Sequence, residues 1–266
     1  MTPADREARG HLARHFFAGL FDMGDLSSGG PSSLPRLITG VCGVFLALGA
    51  LLARVFLKKY TMLGDLHTAE PYLQAIVADH AFLIAMPMWT MAFVTVLVSP
   101  SLFPDETDFR VLMALPVTRR VVFGAKLLAL ARFLGIFVIA SHAATFIMFA
   151  LTVINPWVAH PFPLHLVAWI VPSLLGSIFA VLAVAAVRSV LLLAIPRERA
   201  LPVSAALTSL LLFGLIMIFP MVGQLAGASG AFEAPQWWLA LVPPAWFEGM
   251  EHLILGDTRL GHFALY

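Results

Sequence analysis

The sequence predicts an all-α fold, a polytopic transmembrane helix bundle with an N-terminal amphipathic helix and a short cytoplasmic helix between two spans. Hydrophobic residues make up 60% of the 266 positions and charged residues only 12%, whereas soluble domains are about 45–50% apolar and about 25% charged. Long uncharged runs recur along the chain, and they lack the period-two alternation of half-buried strands. This composition leaves too little polar surface for a water-soluble fold of this length.

Five apolar runs, four of them uncharged and the first with Arg54 close to one end, are long enough to cross a bilayer, since a helix needs about 20 apolar residues to span the hydrocarbon core. The stretch between Arg132 and Arg188 is too long for one span, and Pro156, Pro161 and Pro163 in its middle predict a tight turn between two helices. The predicted spans are 37–57, 81–103, 133–154, 164–187 and 201–222. They belong to a predicted membrane domain over 37–266, in which 223–250 is an aromatic segment on the outer side.

Residues 1–36 form a leader that is too long and too charged before its first apolar core to be a signal peptide. Large apolar residues recur in it at helical spacing, whereas Arg9, Arg14 and His15 lie elsewhere around the helix. The apolar residues are Leu12, Phe16, Phe17, Leu20 and Phe21. The pattern predicts a helix lying in the membrane interface, followed by a hinge over 25–35. The alternative is a disordered leader with an accidental apolar stripe.

Basic residues in the loops orient the spans, because cytoplasmic loops carry an excess of Lys and Arg. The leader, the loop after the second span and the loop after the fourth are all basic, and alternating spans place them on one side. The opposite side carries Arg54, Lys58 and Lys59, in a loop that also holds acidic residues. We therefore expect a multi-pass protein of the cytoplasmic (inner) membrane with a cytoplasmic N-terminus.

The cytoplasmic loop 104–120 carries its own helix signals. Asp105 can cap a new helix and Glu106 lies in its first turn, where the helix dipole favours negative charge. Phe109, Leu112 and Met113 then fall at spacings of three and four residues and form one apolar face. A bare connection needs no such face, so this helix is expected to bury it against something.

The end of this loop leads directly into the third predicted span. Leu115 precedes Pro116, which stops the short helix after about three turns. Thr118 can cap the next helix, which opens with Arg119 and Arg120 and continues into the membrane.

This layout resembles the permease subunit of a type-2 ATP-binding-cassette exporter. The closest motif is Leu-Pro-Val-Thr-Arg-Arg at 115–120, with Lys126 after it, and Pro-Pro-Ala-Trp-Phe at 243–247 is also similar. The resemblance covers the chain from the leader to about Phe247. It implies that the loop is a coupling helix that docks on a separate nucleotide-binding subunit. The implied docking residues are Asp105, Glu106, Phe109, Leu112, Met113, Leu115, Pro116, Arg119 and Arg120.

The resemblance also implies the partners, namely an ATP-binding-cassette ATPase subunit, membrane lipid and a second permease copy or half. The chain lacks a Gly-x-x-x-x-Gly-Lys-Ser/Thr phosphate loop and a His-Glu-x-x-His motif, so we expect no cofactor and no enzymatic activity in it. No basic block indicates nucleic acid. Such permeases usually have six or more spans, whereas this chain ends as 260–266 turns apolar. We therefore expect a piece or one half of a longer permease.

Two sets of ionisable residues are candidate sites. His142 lies within the third predicted span, where an ionisable group is costly and usually faces the bundle interior. The alternative is a neutral histidine bonded to a neighbouring helix. His67 and His80 share the outer loop with Glu70 and Asp79, as a metal or acid–base cluster or as ordinary polar loop residues. Their spacing matches no known metal-binding template.

The alternative function is a membrane-embedded enzyme or assembly factor acting on lipid or peptide. Such an enzyme should gather several ionisable residues at one depth inside the bundle. Each interior span holds at most one, which argues for the permease.

Overall fold

The computed structural model describes residues 3–19, 33–66, 68–98, 118–196, 200–225 and 237–257, and these residues form helices and contain no strand. The predicted all-α fold is confirmed. The helices are α1 Pro3–Gly19, α2 Ser33–Asp65, α3 Ala69–Val98, α4 Arg119–Val153, α5 Phe162–Leu193, α6 Ala200–Leu225 and α7 Pro243–Ile254. A short 3₁₀ helix, Trp237–Leu241, precedes α7.

Four of the described helices are long and apolar enough to cross a membrane, which indicates a membrane protein. These stretches are Ala69–Val98, Arg119–Val153, Phe162–Leu191 and Pro202–Pro220, and they overlap the last four predicted spans. The first predicted span, 37–57, falls in α2, which has 33 residues but is not one of the four. That span stays a prediction.

The predicted turn between the third and fourth spans is present. α4 ends at Val153 and α5 begins at Phe162, two residues before the predicted start of the fourth span. The difference has a simple cause: Pro163 lies in the first turn of α5, where a missing backbone N–H costs nothing. In the turn itself, the Asn155 side chain accepts a hydrogen bond from the Trp157 backbone N–H at 3.0 Å.

Successive long helices alternate in direction, and two that run parallel, α2 and α4, pack closely. Phe45 contacts Phe137 edge to face, and four residues further along α2 Gly49 lies against Ala144. A Cβ on Gly49 would stand 2.9 Å from the Cα of Ala144, so only glycine allows this approach. α3 is the most enclosed helix and packs against α4, α5 and α6.

The bundle has two ends, which we name after the helices packed there. At the α1 end, the leader helix lies along the beginning of α4: Ala13 is fully buried and Phe17 packs against the main hydrophobic core. The leader is thus helical over Pro3–Gly19, and this helix packs on protein as well as presenting exposed residues. Its place in the membrane interface stays a prediction. Leu20 and Phe21 lie outside the described residues.

At the α7 end, α2 ends, α3 begins, and the 3₁₀ helix and α7 fold back onto α3 and α5. Ala81, Leu239 and Ala245 form a small buried cluster there. Phe247 packs on Phe179, with ring centroids 5.8 Å apart. This packing brings the polar face of α7 against the first half of α3.

Candidate functional site: a buried histidine and carboxylate cluster

Three ionisable side chains from two helices converge at the α7 end. His80 comes from α3, and Glu248 and Glu251 come from α7; each side chain is at most 2% exposed. One nitrogen or oxygen of each residue lies within 4.8 Å of the others. Glu248 and Glu251 are three residues apart, which places both carboxylates on one face of the helix. Pro243 and Pro244 form the first turn of α7, where proline is favoured, and set this helix directly after the 3₁₀ turn.

Hydrogen bonds define the tautomer of His80. The Thr152 hydroxyl donates its one hydrogen to the Phe149 carbonyl at 2.7 Å, so its oxygen must accept from His80 Nε2–H at 2.8 Å. Nδ1 of His80 then faces Oε1 of Glu251 at 2.5 Å. A neutral imidazole with its hydrogen on Nε2 has a lone pair on Nδ1. A positive species, either a proton or a metal cation, must therefore sit between this nitrogen and the carboxylate.

The buried carboxylates of α7 have few hydrogen-bond partners. Within the described part of the chain, neither oxygen of Glu248 accepts a hydrogen bond, and neither does Oε2 of Glu251. The nearest cation is His252, whose Nε2 lies 3.4 Å from Glu248 Oε1 and whose Nδ1 lies 3.2 Å from Asp257. Because 3.4 Å is long for a hydrogen bond, we treat the His252–Glu248 contact as an ion pair rather than a bond that satisfies the oxygen.

The electrostatics of α7 follow from this burial. Burial and, after it, the negative charge of Glu251 raise the pKa of Glu248 to about 7, with His252 and His80 offsetting part of the effect. Burial by itself lowers the pKa of His252, but the carboxylates of Glu248, Glu251 and Asp257 outweigh it and raise that pKa. A carboxyl that titrates near neutrality can exchange a proton at physiological pH.

Further polar residues surround the cluster. Next to His80 on α3, the fully buried Asp79 accepts hydrogen bonds from Lys59 at 2.8 Å and from the Tyr60 hydroxyl at 2.6 Å. From α5, the buried His165 interacts electrostatically with His80 and Glu251, and neither of its ring nitrogens has a hydrogen-bond partner in the described ranges. The arrangement can hold a divalent cation or store protons.

The predicted docking residues fall mostly outside the described ranges. These are Asp105, Glu106, Phe109, Leu112, Met113, Leu115 and Pro116. Arg119 and Arg120 are described: they open α4 and are exposed to solvent. Thr118 occupies the N-cap position of α4 with an extended backbone, as predicted, but its side chain makes no capping hydrogen bond.

His142 is buried in α4 and has partners for both ring nitrogens. Nδ1 donates to the Val138 carbonyl at 2.8 Å, and Nε2 lies 3.0 Å from the Ser173 hydroxyl of α5. This is the geometry expected of a neutral histidine bonded to a neighbouring helix. Its functional role stays a prediction.

The structure describes three of the four outer-loop residues, and His67 lies outside the described ranges. Glu70 is exposed, and Asp79 binds Lys59 and Tyr60. Of these three described residues, His80 alone joins the buried cluster, with partners from α7.

Sequence reasoning missed Glu248, Glu251 and His252. The sequence does contain a pattern that could have identified them: three ionisable residues at i, i+3 and i+4 inside an otherwise apolar, aromatic segment. Each predicted span by itself holds at most one ionisable residue, whereas α7 is a short helix beside the spans that brings its carboxylates to His80.

A comparison of the chain with protein families, curated proteins and solved structures gives no match.

Proposed function

We propose that this chain is the membrane-spanning permease subunit of an ATP-binding-cassette transporter in the cytoplasmic membrane. A separate ATPase subunit hydrolyses the ATP, and the permease moves the substrate across the membrane. The observation that carries the proposal is the packing of α1 on the beginning of α4, immediately after the loop 104–117 that resembles a coupling helix.

The contact between α1 and α4 builds a protein surface at the α1 end. Arg9 lies against Gly124, where an added Cβ would stand 3.1 Å from its Nε atom. Lys126 lies over the ring of Phe16, with its Nζ 5.6 Å from the ring centroid. A coupling helix entering α4 at this place would be braced by the leader, so that movement of a docked partner is passed to a membrane helix.

The helix directions support a cytoplasmic α1 end. Because α3 to α6 alternate, the loop before α4 and the loop between α5 and α6 lie on the side of the leader. Both carry arginines, as the positive-inside rule requires. Lys59, a basic residue at the opposite end, forms an ion pair with the buried Asp79 at 2.8 Å, so its charge is neutralised inside the protein and weighs little on orientation.

A pull-down tests the proposed docking. Burying one large side chain such as Leu112 is worth about 1.5–3 kcal/mol, and Leu112→Asp would in addition place an unpaired charge in the contact. We expect roughly a hundredfold weaker binding or more. The chain is tagged in its native membranes and the co-purified ATP-binding-cassette ATPase is quantified. Thr68→Asp, which adds the same charge at an exposed site of the α7 end, is the matched control.

Expression and membrane insertion should equal wild type for both variants, because neither residue lies in a membrane-spanning stretch. Equal ATPase recovery with wild type and Leu112→Asp would show that this helix is not the docking element. In that case, the helix rests on lipid headgroups.

The buried cluster favours one other function, a membrane-embedded hydrolase acting on lipid or peptide. A carboxyl group with a pKa near 7, such as that of Glu248, is suited to general acid–base catalysis, which contributes about 10²–10⁴-fold to a rate. This function predicts hydrolysis of labelled phospholipid vesicles or casein by the purified chain without an ATPase. Glu248→Gln should then lower the rate at least a hundredfold, whereas the exposed Glu70→Gln should leave it unchanged.

A further inference from the structure

The cluster at the α7 end contains more hydrogen-bond acceptors than hydrogens to satisfy them. Thr152 engages Nε2–H of His80, so Nδ1 and Oε1 of Glu251 meet as two lone-pair atoms at 2.5 Å. Glu248 contributes two more oxygens and Glu251 one more, none bonded within the described chain. One shared proton satisfies only the first pair. A cation that binds several lone pairs at once satisfies the set.

The charge of the cluster also favours a bound cation. Two carboxylates lie side by side, each about 1% exposed, and buried charges are normally paired or bound to a metal. The cationic partner within reach is His252, 3.4 Å from Glu248, and it is shared with Asp257 at 3.2 Å. A divalent cation would neutralise both glutamates with His80 as a neutral ligand.

The donor set selects the kind of cation. One imidazole nitrogen and two carboxylate oxygens are typical ligands of Zn²⁺ and, with added water, of Mn²⁺, whereas Mg²⁺ and Ca²⁺ prefer oxygen alone. Zinc bonds of about 2.0–2.2 Å place tetrahedral ligands roughly 3.3–3.6 Å apart. The three ligand atoms already lie within 4.8 Å of one another, so small rotations of the glutamate side chains bring them to this spacing.

The surroundings also fit a metal centre. Thr152 orients His80 through the nitrogen opposite to the ligating one, which is how metal-bound histidines are usually held. Three protein ligands leave a fourth position. His165 of α5 is buried with neither ring nitrogen bonded in the described part of the chain, and it interacts electrostatically with His80 and Glu251.

We propose that His80, Glu248 and Glu251 bind one divalent transition-metal ion, Zn²⁺ or Mn²⁺, at the α7 end of the bundle. The site joins α3 to α7 and so fixes a helix outside the spans onto the membrane bundle. This inference does not depend on the ATPase partner.

Metal titration of the purified full chain in detergent tests the proposal. After chelation and removal of the chelator, Zn²⁺, Mn²⁺ and, as a control ion, Mg²⁺ are titrated by calorimetry, and bound metal is counted by mass spectrometry. We expect one Zn²⁺ or Mn²⁺ per chain. Glu248→Gln should weaken binding about a hundredfold or more, since even outer-shell partners of a metal site are worth about 10–100-fold. Glu70→Gln and His15→Gln, which change exposed residues of the same types, should bind like wild type.

Glu248→Gln is the most informative variant because it keeps the shape of a side chain that accepts no hydrogen bond in the described chain, so folding should survive. His80→Gln removes a proposed ligand on a different helix and should also weaken metal binding. Should either variant fail to fold, Co²⁺ bound to the wild type still decides: visible d–d bands without thiolate charge transfer fit this ligand set, as the chain has one cysteine. No stoichiometric binding by wild type, or equal binding by Glu248→Gln, would overturn the proposal.

Discussion

His80 Nδ1 lies 2.5 Å from Oε1 of Glu251, although 171 positions separate the two residues in the chain. The contact links the first half of α3 to the last turn of α7, and Thr152 at the end of α4 completes it. Polar contacts of His80 thus join α3 both to α7 and to α4.

The metal-free protein should lose stability as pH rises through neutrality because of Glu248. Burial raises its pKa from 4.5 to about 7, with Glu251 and His252 on α7 and His80 on α3 as its charged neighbours. A raised folded-state pKa gives stability that is fully present below the unfolded value and is lost as pH rises through the folded value. Between pH 4.5 and 7, the loss should reach about 3 kcal/mol at most.

Thermal melts of chelated wild type and Glu248→Gln measure this effect between pH 5 and 8. The melting temperature of wild type should fall relative to Glu248→Gln as pH rises, since the amide does not ionise. Parallel curves for the two proteins over this range would show that Glu248 titrates normally.

The ion pair of Lys59 and Asp79 should stabilise the contact between α2 and α3. Asp79 is fully buried and would keep only the Tyr60 hydroxyl after Lys59→Met. Removing one partner of a buried pair costs about 3–5 kcal/mol, and we expect about 2–3 kcal/mol here because Lys59 is 33% exposed. Denaturant unfolding in detergent measures the loss.

The double variant Lys59→Met/Asp79→Asn separates the pair from its surroundings, because the amide oxygen still accepts the hydrogen bond of the Tyr60 hydroxyl. It removes both charges, so it should recover most of the stability lost in Lys59→Met. Lys58→Met, an exposed neighbour, is the control and should change little. A double variant as unstable as the sum of the two single variants would contradict a direct interaction.

The topology should place the leader and the α2–α3 connection on opposite sides of the membrane. Cysteines introduced at Ser28 and Thr68, in a background without Cys42, should react with an impermeant maleimide from opposite sides. The reason is that the proposed topology keeps the basic leader in the cytoplasm. Labelling of both positions from the same side would contradict the assigned orientation.

The helices were predictable from sequence, and the cluster was not, for physical reasons. Long uncharged runs and the Asn155–Pro163 turn determine structure through residues that are close together in the sequence. The predicted ends of α4 and α5 at this turn therefore lie within two residues of the observed ones. His80 and Glu251 meet only through folding of the chain after α6 back onto α3. No pattern in the sequence near either residue indicates that contact. His80 was noticed, but with Asp79 as its partner, and that carboxylate is held by Lys59 and Tyr60.

A photo-crosslinker at position 112 tests the proposed docking of the loop 104–120 on an ATPase. The crosslinking residue replaces Leu112 in the full-length chain in native membranes, and the same residue at the exposed position Thr68 serves as control. After irradiation, the crosslinked product is purified and identified by mass spectrometry. If the loop docks as proposed, an adduct forms at position 112 with a protein that carries a Gly-x-x-x-x-Gly-Lys-Ser/Thr phosphate loop, and none forms at position 68. Crosslinks from position 112 to lipid alone, with the protein fully expressed, would contradict it.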